Sequence, residues 1–295
     1  RGIFGVDFGS TSFVLLNNRI DDYKGKYFRL HERTFQFLDP DHIAQLYLDS
    51  KKNPSLRFNF QSYDTKNEIK YSENGLQLAF CTYQKNFSKI PGCPVSYWLS
   101  DISFGTFSKS KTFEGENVTR AGMITGNNEL FVRMWHEIRR DTMGTLIKTR
   151  EDAIASKKKW FPYNKGGEFR KWYGNNYYVV DWYNDGTHMR NLKDEKGKIP
   201  AHAFNLEYIF KNNVTWNSLS SYKFAARYSD YGFLYDASGS FADVQRKYLY
   251  YALSFLCSEV TQYYLFAMNP TLNFQKGNIA SLPFITKDKY LDNIN

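Results

Sequence analysis

What this chain lacks narrows its chemistry sharply. Its three cysteines, Cys81, Cys93 and Cys257, are odd in number and far apart, with no Cys-x-x-Cys pair among them. Such a set supports neither a disulfide framework nor a zinc knuckle, and reduced structural thiols are expected. The five histidines, at 31, 42, 136, 188 and 202, never fall in His-x-x-x-His spacing, which leaves metal ligation without support. Proline is sparse, eight residues in 295, and Pro-Pro does not occur. The acidic-or-Asn, Pro-Pro, aromatic motif that holds a flipped base for amino methylation is therefore missing. Asn269-Pro270-Thr271 is better explained as a helix stop. No Gly-x-Ser-x-Gly elbow and no phosphate loop occur. The nearest glycine motif, Gly5-Val6-Asp7-Phe8-Gly9, lacks a leading strand and a following helix, and fits a connecting strand and turn. No catalytic, metal-binding or cofactor-binding residue is expected in this chain.

No apolar run approaches the ~20 residues of a membrane span, and the start, Arg1-Gly-Ile-Phe, has no signal-peptide pattern. A cytoplasmic protein without a membrane partner is expected. The chain opens without methionine in the strand-like run Ile3 to Phe8, as a piece of a longer protein would. Asn-x-Ser/Thr triplets begin at Asn86, Asn117 and Asn213, but an Asn-rich chain produces them by chance, and they are discounted as glycosylation sites.

Present in excess are positive charge, a formal +9, and aromatic residues, 18% of the chain. That balance favours a polyanionic partner, nucleic acid or an acidic membrane surface. Short strands are predicted at Ser12 to Leu16 and Tyr27 to Leu30, and the polar run Asp49 to Asn74 is expected to be a surface loop or insertion. Ile90-Pro91-Gly92-Cys93-Pro94 should be a rigid turn that delivers Val95 to Leu99 into a core. Strands are predicted at Leu130 to Trp135, at Tyr177 to Trp182 ending in the turn Asn184-Asp185-Gly186, and at Tyr231 to Tyr235. A helix should follow, with Ser240 and Asp243 in capping-box spacing and Leu249, Leu253, Leu256, Val260, Tyr264 and Ala267 on one face. Lys276-Gly277-Asn278 should turn. The expected class is α+β, with twisted, mainly antiparallel sheets and a long amphipathic C-terminal helix. Its expected divisions are 1–100, 101–240 and 241–295.

The densest signal is Lys157 to Asn175, where six cations face one carboxylate and are interleaved with six aromatics. Cations neutralise phosphates, Asn and Arg can contact base edges, and exposed rings can stack on an extruded or unpaired base. Gly166-Gly167 would let the backbone turn sharply or approach a phosphate. A solvated basic loop over buried aromatics remains open, and some of Trp160, Phe161, Phe169 and Trp172 must be core either way. Arg133, Arg139 and Arg140 beside Trp135 could form a second phosphate clamp or plain surface charge. Thr215-Trp216 to Arg227 suits base or phosphate contact, or a capped turn.

Trp160-Phe161-Pro162-Tyr163-Asn164-Lys165-Gly166-Gly167 through Arg170-Lys171-Trp172-Tyr173-Gly174-Asn175 resembles a signature of the large adenine-specific DNA methyltransferases of the PglX type, found in BREX phage-defence systems, and of related restriction-modification enzymes. Further stretches agree in the same order. They are Tyr23-Lys24-Gly25 with Arg29-Leu30, Phe87 to Gly92 with Tyr97-Trp98, Gly126-Asn127-Asn128 with Phe131-Val132-Arg133 and Trp135, and Asn269 to Asn273. Cys93 departs from the small polar residue expected there, and Asp49 to Asn74 matches nothing in the pattern. The resemblance implies a target-recognition region that follows a methyltransferase core. The 241–295 segment would be its spacer and docking tail. S-adenosylmethionine would serve the parent enzyme, and the implied partners are double-stranded DNA, the upstream methyltransferase domain and other defence-system proteins. DNA contacts are expected from Lys159, Lys165 and Lys171 on phosphates, from Tyr163, Arg170 and Asn175 in orientation or base reading, and from Arg133 and Arg227. The competing expectations are a stand-alone, non-catalytic specificity subunit, and a carbohydrate- or protein-binding module that uses the same exposed rings.

Overall fold

Phe58 and Phe60 alternate within a polar run, and that alternation outweighs the polarity around them. The computed structural model describes residues 11–18, 20, 22–32, 38–66, 68–220, 223–269, 271 and 273–286. It divides the chain into two units, Arg1–Gly105 and Thr106–Asn295. In the first unit, strand β1 (Lys24–Phe28) is followed by a helix over Pro40–Lys52, then by β2 (Arg57–Phe58) paired with β3 (Leu76–Gln77), and by β4 (Ala79–Tyr83), which lies antiparallel to β1. The helix starts where its chemistry requires: the Asp39 carboxylate accepts from the Asp41 N–H, and Pro40 fills the first turn, where no donor is needed. The run Asp49 to Asn74 is a surface loop only in part. Its start completes this helix, Phe58 and Phe60 are buried against Leu46 and Leu78, and the Tyr71 hydroxyl donates to Asp49 Oδ2 at 2.8 Å.

Other expectations for this unit shift as well. Ser12 to Leu16 forms no strand and leaves Phe13, Val14, Leu15 and Leu16 exposed, without a pairing edge. The Ile3 to Phe8 run and the Gly5 to Gly9 motif lie outside the described residues. The turn at Pro91 to Pro94 is present, with left-handed Gly92 and Cys93. It buries Ile90, Ser96 and Leu99 but leaves Val95 outside.

The second unit is built on two four-stranded sheets and a short pair. Its strands are β5 (Lys111–Thr112), β6 (Val118–Arg120), β7 (Val132–Met134), β8 (Trp160–Asn164), β9 (Tyr178–Asp181), β10 (Asn213–Trp216), β11 (Ala226–Ser229), β12 (Leu234–Tyr235), β13 (Phe241–Asp243) and β14 (Pro283–Phe284). One sheet runs β11-β10-β13-β6, antiparallel throughout. The other runs β12-β8-β9-β7, with only the β12–β8 pair parallel. β5 pairs with β14. Helices together with mainly antiparallel sheets make this an α+β fold.

Strands β8 and β9 form the centre of the second sheet. Phe161, Tyr163, Val179 and Val180 are fully buried there, as β-branched and aromatic residues on a covered pleat should be. Pro162 falls between the bridge of Met143 to Trp160 and the start of β12 at Tyr163, where the ladder asks no donor of it. β9 ends at the predicted turn, since Asn184, Asp185 and Gly186 all have positive φ. At β7, by contrast, the predicted strand begins late. Asn127 accepts from the Leu130 N–H and caps a helical turn over Asn128–Phe131, so the strand keeps only three residues.

The long helix is interrupted and starts later than its sequence suggests. Ser240 and Asp243 cap nothing, because Phe241–Asp243 is β13, paired to β10 and β6. Helices run over Leu249–Cys257 and Glu259–Met268, separated by Ser258 in an extended conformation. The Ser258 hydroxyl caps the second helix by accepting from the Thr261 N–H, and this restart moves the buried face by one residue. Thr261 and Leu265 are buried in place of Val260 and Tyr264, while Leu249, Leu253, Leu256 and Ala267 are buried as expected. Lys276-Gly277-Asn278 is likewise helical, within Lys276–Ala280. Residues of these segments and of β14 pack on Val214, Trp216 and Phe224 in one core of the second unit. Asn86, Asn117 and Asn213 are all buried, and their amides donate to Asp101, to the Phe113 carbonyl and to the Tyr208 carbonyl.

Candidate nucleic-acid interface

The basic stretch enters from the helix Arg150–Ala155, whose first turn is capped by Thr149 accepting from the Asp152 N–H. Left-handed Lys157 ends it and turns the chain into β8. Three consecutive lysines at this corner are not equally free. The Lys158 ammonium donates to the Asp141 carbonyl at 2.5 Å. Lys159 lies 3.5 Å from Asp181 Oδ2 and over the Trp160 ring, yet about half its side chain stays in solvent.

Beyond β8 the chain forms an ordered loop, Lys165 to Asn175, and its shape is held from below. Gly166 and Gly167 both have positive φ, and a Cβ on Gly167 would meet the Asn175 amide at 3.0 Å. The Ser238 hydroxyl donates to the Lys165 carbonyl at 2.8 Å, the Asn217 amide to the Gly167 carbonyl, and the Asn175 amide to the Glu168 carbonyl at 2.9 Å. Trp172 is then pinned to β11. Its N–H donates to the Ala226 carbonyl at 2.9 Å, and its carbonyl accepts from the Tyr228 N–H at 2.8 Å. Loops that carry binding groups are commonly mobile; here side chains from distant segments satisfy the backbone and fix it.

Eight residues were expected to touch DNA, and they fall into two groups. Tyr163, Asn175 and Arg227 lie inside the fold, at 0, 2 and 1% relative exposure. The Tyr163 hydroxyl donates to Asp236 Oδ2 at 2.8 Å; burial, then the Asp236 charge, pushes its ionisation well up from the ordinary tyrosine value. Asn175 is the left-handed brace already described. Arg227 donates through one terminal nitrogen to Asn217 Oδ1 at 2.7 Å, while Nε and the other terminal nitrogen have no partner among the described residues. Burial lowers the Arg227 pKa to about 10; the Cys257 side chain opposes that shift and the nearby Arg170 charge adds to it.

The remaining five reach the surface with different freedom. Lys165 lies 3.3 Å from Asp236. Lys171 donates to the Cys257 carbonyl at 2.7 Å and lies 3.8 Å from Glu259. Arg133 donates to the carbonyls of Glu129 and Val132 beside Trp160. Arg170 is exposed, with no hydrogen bond or ion pair among the described residues. Lys159 is the half-exposed cation at the corner. Among the rings, Phe161 is core, whereas Phe169, Trp172 and Tyr173 are exposed at 37, 51 and 63%.

Two residues that sequence reasoning passed over matter here. Asn217 joins Arg227 to the Gly167 carbonyl, and Asp236 joins Tyr163, Lys165 and Ser238. Their signal was slight: Asn217 stood in a run of hydrogen-bonding residues, and Asp236 followed a predicted strand. A cavity of about 290 Å³, lined by Thr125, Asn128, Lys165 and Asp236 among others, opens beside the loop. Among the described residues, no group of three or more His, Cys, Asp or Glu side chains is gathered to hold a metal, and no helix is long and apolar enough to cross a membrane.

No family model matches the chain. It is 36% identical over 279 residues to the adenine-specific methyltransferase PglX of Lacticaseibacillus casei (strain Zhang), covering 93% of this chain and 21% of that protein. It is 29% identical over 288 residues to the adenine-specific methyltransferase BrxX of Escherichia coli O9:H4 (strain HS), covering 97% of this chain and 20% of that protein. The resemblance carried by the sequence motifs thus extends over nearly the whole chain, which spans about one fifth of the length of these curated relatives.

Proposed function

We propose, from a chain that matches one segment of PglX-type adenine-specific methyltransferases almost end to end, that it grips duplex DNA and positions a target adenine for methylation. The transfer itself, with S-adenosylmethionine as donor, would be carried by the rest of such a protein, and the adenine would swing out of the helix to reach it. The observation that carries this proposal is the loop Lys165 to Asn175, which holds an exposed arginine and three exposed rings on a backbone fixed by buried side chains. A cation without an internal partner neutralises a phosphate at no cost in lost ion pairs.

The contacts divide accordingly. Arg170 and Lys159 are the first phosphate ligands: Arg170 has no ion pair among the described residues, and Lys159, though 3.5 Å from Asp181 Oδ2, keeps about half its side chain in solvent. Lys165 and Lys171 contribute field more than direct contact, as does Arg133, which lies over the same ring as Lys159 but is held by two carbonyls. Tyr163, Asn175 and Arg227 act from beneath by holding the loop in shape. The proposal is tested by binding of the chain to duplex DNA across a salt series. Removing Arg170 and Lys159 together should lower the slope of log K against log salt by about 1 to 2, at ~0.9 per phosphate contact. Absence of binding at low salt, or binding that ignores salt, overturns the proposal.

A further inference from the structure

Trp172 combines features that rarely occur together. It is a large aromatic residue with φ of +73°, in the left-handed region that β-carbon sterics disfavour for such side chains. Its backbone is nevertheless held on both sides by β11, through the Ala226 carbonyl and the Tyr228 N–H. Trp172 is 51% exposed and the next residue, Tyr173, is 63% exposed. Neither packs against another ring or a cation among the described residues. A strained conformation over-determined by its surroundings, which holds a large ring in water, is the kind of backbone outlier that clusters at ligand sites.

The surroundings indicate what that ligand is. Gly174, at φ +124°, carries no side chain, and a Cβ there would lie 2.3 Å from Arg170 Cδ. The missing Cβ lets the Arg170 stem lie across the backbone next to the rings. Trp172 pairs through its backbone with Arg227, a buried and incompletely paired residue of β11. Two exposed rings thus precede the glycine over which the Arg170 stem lies, on a backbone paired to that of a buried arginine. That arrangement suits a group with a flat aromatic face attached to an anion, which is the chemistry of a nucleotide in a strand.

We propose that Trp172 and Tyr173 form a stacking platform for an unpaired or unstacked nucleobase, with Arg170 on the adjoining phosphate. This rests on the DNA-binding role proposed above and extends it from phosphate contact to base contact. Opening a duplex at one base exposes neighbouring faces, and a rigid ring held in position compensates for the lost stacking without reading sequence.

The test compares binding of the chain to a fluorescein-labelled oligothymidylate and to an abasic oligonucleotide of equal length, which keeps the phosphates and lacks the bases. The native chain should prefer oligothymidylate by about 5- to 150-fold, the range for stacking on one base. Trp172→Ala should abolish that preference, and Trp172→Tyr should retain most of it. Trp172→Gly, which removes the ring and relieves the backbone, should melt no lower than Trp172→Ala and also lose the preference. Equal binding to both oligonucleotides, or a preference that survives Trp172→Ala, overturns the platform and leaves the phosphate-contact role intact. Binding to neither, and to no duplex, overturns both.

Discussion

Replacing Tyr163 by Phe separates a residue that supports the loop from one that touches DNA. The ring is fully buried in β8, so the change removes one oxygen and little else. That oxygen donates to Asp236 Oδ2 at 2.8 Å, and a hydrogen bond to a charged acceptor contributes ~1.5–3 kcal/mol. Lys165, 3.3 Å from the same oxygen, keeps the carboxylate partly compensated, which favours the lower half of that range. In a domain of this size each kcal/mol moves Tm by ~2–4 °C, so a fall of ~3–9 °C is expected. The pH dependence sharpens the test. The folded-state pKa of Tyr163 is raised above its ordinary value of 10.0, so the folded chain keeps a proton that the unfolded chain releases. The stabilisation is then complete below pH ~10 and declines as pH rises through the folded value. The native-minus-Phe difference in urea denaturation should be constant from pH 7 to 9 and shrink above 10. DNA affinity, measured well below either Tm, should change little. An unaltered Tm with weakened DNA binding would refute the reasoning and make Tyr163 a direct contact.

Gly239→Ala should destabilise the second unit by ~1–3 kcal/mol or more, because the new Cβ would lie 2.4 Å from the Asn164 carbonyl oxygen, a backbone atom that cannot swing aside; thermal melting measures it. Asn217→Ala should loosen the loop, since the Gly167 carbonyl loses its donor and Arg227 its acceptor. Hydrogen exchange or proteolysis should then report faster opening confined to Lys165 to Asn175. Arg227→Met should stay within about 2 kcal/mol of the native chain, because it removes a buried cation whose pKa burial has lowered to about 10. A large loss of stability would show that the guanidinium is better paired than its geometry indicates.

The sequence was most legible where local chemistry alone decides. Tyr178 to Asp181 is a strand because valines and aromatics suit a covered pleat, and Asn184-Asp185-Gly186 ends it because those residues tolerate positive φ. The C-terminal helix was legible in composition but not in phase. Ser258 stops one helix and caps the next, and a one-residue offset is invisible to a periodicity that averages over both. Asp49 to Asn74 was misjudged in part by its mean polarity, since two phenylalanines two positions apart anchor it to a small core.

By itself the sequence determined the excess of positive charge, the aromatic-basic stretch and the ordered motifs that tie nearly the whole chain to one segment of PglX-type proteins. Tertiary structure decided which members of that stretch are available. Lys165 meets Asp236 across 71 positions and Lys171 meets the Cys257 carbonyl across 86, whereas Arg170 meets no such partner among the described residues. A charge is neutralised by whatever the fold brings within a few ångströms, and partners that distant leave no local signal in the sequence.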